Sequence, residues 1–342
     1  MPGLEPRFFG PLFMVGLPGP RVDQVARELV RDLRVGGVAL FARNLEDPEQ
    51  VWQLTHDLQK EALAAAGRPL FIALDQEGGT VQRLKAPFTI IPSAHDLGLE
   101  GNGARVAELA RRTARELALV GINMNLAPVL DVARGPDCPQ WSRSYGPDPE
   151  RVADLGAAAI TGYLEGGVIP VAKHFPGLGD THKDSHVELP RAGSLNASRE
   201  ADLLPFQRAI AAGAPAVMTA HLVVPSWDER PATLSPVILQ EWLRGRLGFT
   251  GVIITDDLEM GAIAGRTPAP EAAVRSLAAG ADLLLICNNW QAAWEAGELM
   301  ARDGQMQARG EEAGARLTAL RKLLPPQEPE LQAVKAYFAR RR

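Results

Sequence analysis

Val168-Ile169-Pro170-Val171-Ala172-Lys173-His174 is the stretch on which the fold turns. Five apolar residues run together without the polar alternation of a half-exposed strand. Such a run is a strand buried on both faces, as in a parallel sheet covered by helices. Before it, Glu150 to Leu164 carries apolar residues at helical spacing. Directly after it come a lysine and a histidine. The unit is therefore a helix, a buried strand and a polar strand tip.

Working outward, the same unit recurs along the chain. Strands are predicted at Leu12 to Gly16, Val38 to Phe41, Leu70 to Leu74, Ile122 to Leu126, Val168 to Ala172, Ala216 to Thr219, Val252 to Thr255 and Asp282 to Ile286. Helices follow them at Val22 to Leu33, Asp47 to Ala65, Ala104 to Val120, Glu150 to Leu164, Ala201 to Ala212, Pro236 to Leu247, Glu271 to Ala279 and Gln291 to Ala301. Eight alternating units predict an α/β fold, a single-domain (β/α)8 TIM barrel over residues 1–325 with some irregular early strands. Residues 326–342, after Pro325, are expected to form a helical tail packed on or extending from the barrel. Gly16-Leu17-Pro18-Gly19 is not the GxGxxG turn of a dinucleotide-binding sheet.

Composition agrees with this reading. The chain has 342 residues, 46% of them hydrophobic and 23% charged, enough for a large core. A net charge of −5 with no basic stripe argues against a nucleic-acid partner. Two cysteines, Cys138 and Cys287, give neither a disulfide framework nor a CxxC metal pair. The apolar run Phe8 to Leu17 contains Pro11, follows Glu5 and lacks a clean cleavage site, so it reads as the buried first strand rather than a leader. No stretch approaches the ~20 apolar residues of a membrane span. A cytoplasmic, monomeric protein with no membrane or nucleic-acid partner is expected.

In such barrels chemistry gathers at the C-terminal ends of the strands. There the sequence places Arg43-Asn44, Asp75-Gln76-Glu77-Gly78-Gly79, Lys173-His174, His221 and Asp256-Asp257. Each has a plainer reading. Asp75 and Asp256 suit helix caps, Lys173 suits a buried ion pair, and His221 reads as a satisfied core histidine. The run Lys173-His174-Phe175-Pro176-Gly177-Leu178-Gly179-Asp180-Thr181-His182-Lys183-Asp184-Ser185-His186 is more specific. Its prolines and glycines keep it irregular, and in extended chain Asp184 and His186 share a side. A carboxylate beside an imidazole fixes its tautomer and stabilises the imidazolium, which suits proton transfer near neutral pH. His174, Asp180, His182, Asp184 and His186 also permit a metal-dependent barrel hydrolase, although their spacing is not an established metal cage.

This run resembles the K-H-F/I-P-G-H/L-G-x4-D-S/T-H pattern of glycoside hydrolase family 3, in its single-domain bacterial branch of peptidoglycan-recycling β-N-acetylglucosaminidases, with Leu178 as an allowed variant. Asp75-Gln76-Glu77-Gly78-Gly79-Thr80-Val81-Gln82-Arg83, Arg143-Ser144-Tyr145 and Ile254-Thr255-Asp256-Asp257-Leu258-Glu259-Met260 resemble three further segments of that branch. The resemblance implies a retaining, exo-acting enzyme that releases terminal β-linked N-acetylglucosamine. It implies Asp256 as nucleophile, His186 as acid/base and Asp184 as its orienting partner. Asp75, Arg83, Arg143, Lys173 and His174 are implied to bind the terminal sugar. The usual second carboxyl of a retaining glycosidase would be replaced by a histidine, and no cofactor or metal is needed. A broader family 3 β-glucosidase, an N-acetylglucosaminide phosphorylase and a non-catalytic sugar-binding protein stay open as alternatives.

Overall fold

A computed structural model describes residues 5–181, 185, 187–193, 196–325 and 330–341. Eight strands form one parallel sheet: β1 Phe13–Gly16, β2 Gly37–Leu40, β3 Phe71–Leu74, β4 Met124–Asn125, β5 Ile169–Phe175, β6 Ala216–Thr219, β7 Val252–Ile254 and β8 Leu284–Ile286. Neighbours follow chain order from β1 to β7, and β8 returns beside β1, with Phe13 opposite Leu284. The seam between β7 and β8 closes through a parallel bridge at Ile254 and Leu283. Asp282 N and Leu283 N donate to Ile253 O at 2.8 and 3.1 Å, and Thr255 N donates to Leu283 O at 2.9 Å. The result is a (β/α)8 barrel. Every described strand residue of β1, β2, β3, β7 and β8 is buried, as their unbroken apolar runs require.

Helices α1 to α10 surround this sheet. Helix α1 is a short segment at Gln24–Arg27, continued in a wider turn to Leu33. Helix α2, Pro48–Ala66, shows how the sequence builds the ring. Asp47 caps it through the N–H groups of Glu49 and Gln50, both at 2.9 Å, and Pro48 loses no bond in the first turn. Val51, Leu54, Leu58 and Ala62 recur at helical spacing and bury one stripe. Ala94–Glu100 (α3) and Gly103–Leu119 (α4) follow β3, Pro149–Glu165 (α5) follows β4, and Asn196–Ala211 (α6) follows β5. A wide-turned segment, Val237–Arg246, follows β6, and Ala269–Ala279 (α7) follows β7. Gln291–Arg302 (α8), Met306–Arg321 (α9) and Leu331–Ala339 (α10) complete the chain.

Three differences from the sequence reading bear on function. The fourth strand, expected over five residues, pairs only at Met124 and Asn125. The fifth runs on to Phe175, because Leu130 N donates to Lys173 O at 2.6 Å and Lys173 N to Pro128 O at 3.1 Å. Lys173 and His174 are therefore strand residues and not the start of a loop. Helix α9 was not expected. It closes the barrel base, burying Ala313, Leu317 and Leu320, and its Arg309 and Arg316 reach the buried Asp282 at 2.6 and 3.0 Å. Among the described residues no helix is long and apolar enough to cross a membrane.

Candidate active site

A cavity of about 260 Å³ opens at the C-terminal ends of the strands, with Asp75, Arg83, Arg143, Lys173, His174, Ser185, Asp256, Asp257 and Asn288 in its wall. They come from five of the strand ends, those of β3, β4, β5, β7 and β8. Asp75 follows β3 and begins a tight hairpin, Gln76–Gly78 against Val81–Gln82. Gly78 and Gly79 turn it with φ of 110° and 56°, a region glycine enters without steric cost. That turn brings Arg83 back beside Asp75. Arg143 ends a short 3-10 turn in the connection after β4. Lys173 and His174 are near the end of β5, just before Phe175, and Asp256 lies two residues past β7.

The polar side chains form one chain of ion pairs. Lys173 Nζ donates to Asp75 Oδ1 at 2.7 Å and pairs with Glu77 Oε1 at 2.6 Å. Arg143 grips Glu77 with two bonds, Nε to Oε2 at 2.8 Å and Nη2 to Oε1 at 2.7 Å. Arg83 Nη2 reaches Asp75 Oδ2 at 3.5 Å. Lys173 is buried, and it holds its charge there because the carboxylates of Asp75 and Glu77 outweigh the cost of burial and raise its pKa. Glu77 is the mirror case. Burial pushes its carboxyl up, but Lys173 and Arg143 together hold it down at about 2.

Asp256 accepts a 2.9 Å bond from the N–H of Asp257. Burial alone would raise its pKa. The net shift is downward, from His174 and His221 first, then the Asp257 N–H and Lys173. Imidazoles are cationic in the acid range where a carboxylate titrates, so their field favours the ionised acid. Asp256 is thus a carboxylate kept ionised at a strand end. Its neighbour Asp257 is the opposite: burial, Glu259 and Asp256 push its carboxyl up to about 6, against the N–H bond from Glu259 and the hydrogen bond with Cys287.

The capping reading fails for both aspartates. The chain after Asp75 forms a hairpin, and the short helix after Asp256, Gly261–Ala264, begins at Met260. Lys173 is an ion-pairing element, as its plainer reading held, and it also lines the cavity. His221 is fully buried, with Nδ1 2.8 Å from Thr233 Oγ1 and Nε2 donating to Asp257 O at 2.8 Å. It is a satisfied core histidine that also lowers the pKa of Asp256. Asp184 and His186 lie outside the described residues, as does His182. Among the described residues no three His, Cys, Asp or Glu side chains are grouped to hold a metal ion.

Two residues that the sequence reading passed over complete the arrangement. Glu77 sits inside the quoted Asp75–Arg83 segment, and its burial became visible only with Lys173 and Arg143 around it. Asp131 is fully buried, with Oδ2 2.7 Å from His174 Nδ1. A signal for it existed: Asp131 is the one charged residue in the apolar run Leu126 to Ala133, and a carboxylate in such a run needs a partner of its own.

Known proteins resemble this chain over nearly its whole length. The profile of the glycosyl hydrolase family 3 N terminal domain matches residues 9–320. A β-hexosaminidase of Alkalilimnicola ehrlichii is 40% identical over 291 residues, 83% of this chain and 82% of that protein. A family 3 β-N-acetylglucosaminidase structure from Paenibacillus superposes with a TM-score of 0.90 at 37% identity, covering 96% of this chain and 67% of that one. The NagZ structure of Neisseria gonorrhoeae, in complex with N-trifluoroacetyl-D-glucosamine, superposes with a TM-score of 0.78 at 33% identity and covers 97% of each chain.

Proposed function

Since the chain belongs to glycosyl hydrolase family 3, among its β-hexosaminidases, we propose that it is a retaining, exo-acting β-N-acetylglucosaminidase with Asp256 as nucleophile. The observation that carries this reading is Asp256 itself, a cavity carboxylate whose pKa is lowered in spite of burial. A nucleophile must be ionised and within reach of the anomeric carbon. Asp256 attacks that carbon as the glycosidic C–O bond breaks, and His186 gives the departing oxygen its proton. Water then attacks the same carbon, the bond to Asp256 breaks, and the proton of the water returns to His186. Asp184 orients His186 throughout, the role a carboxylate plays beside a general-base histidine.

Asp75, Lys173, Arg143, Arg83 and His174 hold the terminal sugar. Asp75 accepts from hydroxyls while the cations donate, and charge-assisted bonds are roughly twice as strong as neutral ones. The complex of the Neisseria gonorrhoeae relative with an N-acylated glucosamine supports a sugar of the 2-acetamido class as the ligand. The peptidoglycan origin of the substrate rests on the likeness of the Lys173 to His186 run to the recycling branch.

The test is hydrolysis of nitrophenyl β-N-acetylglucosaminide beside the matching β-glucoside, with chelator present. Wild type, Asp256→Ala and His186→Ala are compared, and a slow fluorinated substrate is used to trap the adduct. Preference for the acetamido sugar, near-complete loss in Asp256→Ala, a large loss in His186→Ala and a glycosyl adduct on Asp256 are expected. Product analysis in phosphate buffer separates hydrolysis from phosphorolysis. An active Asp256→Ala enzyme sinks the assignment.

A further inference from the structure

We propose that Asp131 is a positioning residue that fixes the ring tautomer of His174, holding the proton on Nδ1 so that Nε2 meets the sugar as a hydrogen-bond acceptor. The inference rests on the reading that the cavity binds a sugar. Asp131 follows β4 and His174 is near the end of β5, so their contact joins two neighbouring strand ends. The carboxylate is fully buried and its two oxygens are divided. Oδ1 accepts backbone N–H groups, from Leu178 at 2.8 Å and from His174 at 3.3 Å. Oδ2 is spent on His174 Nδ1 at 2.7 Å. A carboxylate can only accept, so Nδ1 carries the hydrogen. In the neutral ring Nε2 then keeps its lone pair.

That lone pair changes what the cavity can read. Lys173, Arg143 and Arg83 only donate, and the acceptors in the wall with them include the charged carboxylates of Asp75 and Asp256 and the carboxyl of Asp257. A neutral His174 with its proton on Nδ1 adds an uncharged acceptor beside the ammonium of Lys173. With the proton on Nε2 it would become one more donor in a cavity already rich in donors.

The division of the two oxygens makes Asp131→Asn a discriminating variant. Its amide oxygen must occupy the Oδ1 place, since only an oxygen can accept from the N–H groups of Leu178 and His174. Its NH2 group is then left facing His174 Nδ1, which must accept and pass its proton to Nε2. The turn is kept and the tautomer is reversed. Nitrogen-15 NMR of the histidine ring, on the full chain near pH 8, should show Nδ1 protonated in wild type and Nε2 protonated in Asp131→Asn. Turnover of nitrophenyl β-N-acetylglucosaminide should fall in kcat/KM by roughly 10²-fold, the order expected for an unpaired polar contact in a site. In a His174→Ala background the same change should cost less than about 3-fold, since no ring remains to be turned.

Equal losses in both backgrounds would mean that Asp131 serves only the backbone, and would overturn the proposal. A wild-type ring protonated on Nε2, alone or together with Nδ1, would overturn it as well. Wild type that fails to turn over the N-acetylglucosaminide sinks the functional reading instead, while the tautomer measurement still decides the Asp131–His174 pair.

Discussion

Replacing Glu77 by glutamine removes the negative centre on which Lys173 and Arg143 converge. The carboxyl is held at about 2 against an ordinary 4.5, a difference worth about 3 kcal/mol in favour of its charged, folded form. The side chain is only 5% exposed, so solvent screens little of this. Its loss also leaves two cations facing Asp75 alone, and breaking a buried pair typically costs about 3–5 kcal/mol. At about 2 cal/mol/K of unfolding entropy per residue, a chain of 342 residues converts 3 kcal/mol into roughly a 4 °C drop in Tm.

The sign with pH follows from linkage. A depressed carboxyl stabilises the fold fully above its unfolded value, and that stability is lost as pH falls through the folded value. The difference in Tm between wild type and Glu77→Gln should therefore be full at pH 6 to 8. It should shrink below about pH 4.5 and be nearly gone near pH 2. Calorimetry of both proteins across that range is the assay. A Tm difference that stays constant from pH 7 to pH 2.5, or a variant as stable as wild type at pH 7, would refute the reasoning.

Other outcomes follow from the same structure. Asp257→Asn should stabilise the protein where Asp257 is charged: a carboxyl raised from 3.8 to about 6 is unfavourable in the folded state above about pH 6 and neutral in effect below 3.8. A gain of roughly 3 kcal/mol in thermal unfolding at pH 8, absent at pH 3.5, checks this. Gly179→Ala should lower kcat/KM sharply, because its Cβ would lie 1.8 Å from Val132 O and force away the loop leading to Asp184 and His186; an unchanged rate would show that this loop yields freely. The buried carboxylate of Glu116 takes Thr89 N at 2.6 Å, Tyr337 Oη at 2.9 Å and the guanidinium of Arg341. Tyr337→Phe should cost about 1 kcal/mol and Arg341→Ala more, by denaturant unfolding, and no change in either would show that α10 is only loosely held.

The sequence alone determined the periodic features. Eight apolar runs between amphipathic helices dictate a parallel barrel, since only burial on both faces rewards strands such as Val252-Ile253-Ile254 and Leu283-Leu284-Leu285. It also placed Asp75, Lys173, His174 and Asp256 at strand ends, because local pattern fixes where a strand stops. What it could not give were partners. Lys173 and Asp75 are 98 residues apart, Arg143 and Glu77 are 66, and His174 and Asp131 are 43. Whether a carboxyl is a nucleophile, a counter-ion or a ring-holder depends on the charges brought beside it. Asp256 and Asp257, adjacent in the chain, are shifted in opposite directions. Helical and strand periods are local properties of the chain, while the field at a carboxylate is summed over groups that only the closed barrel brings within a few ångströms of one another.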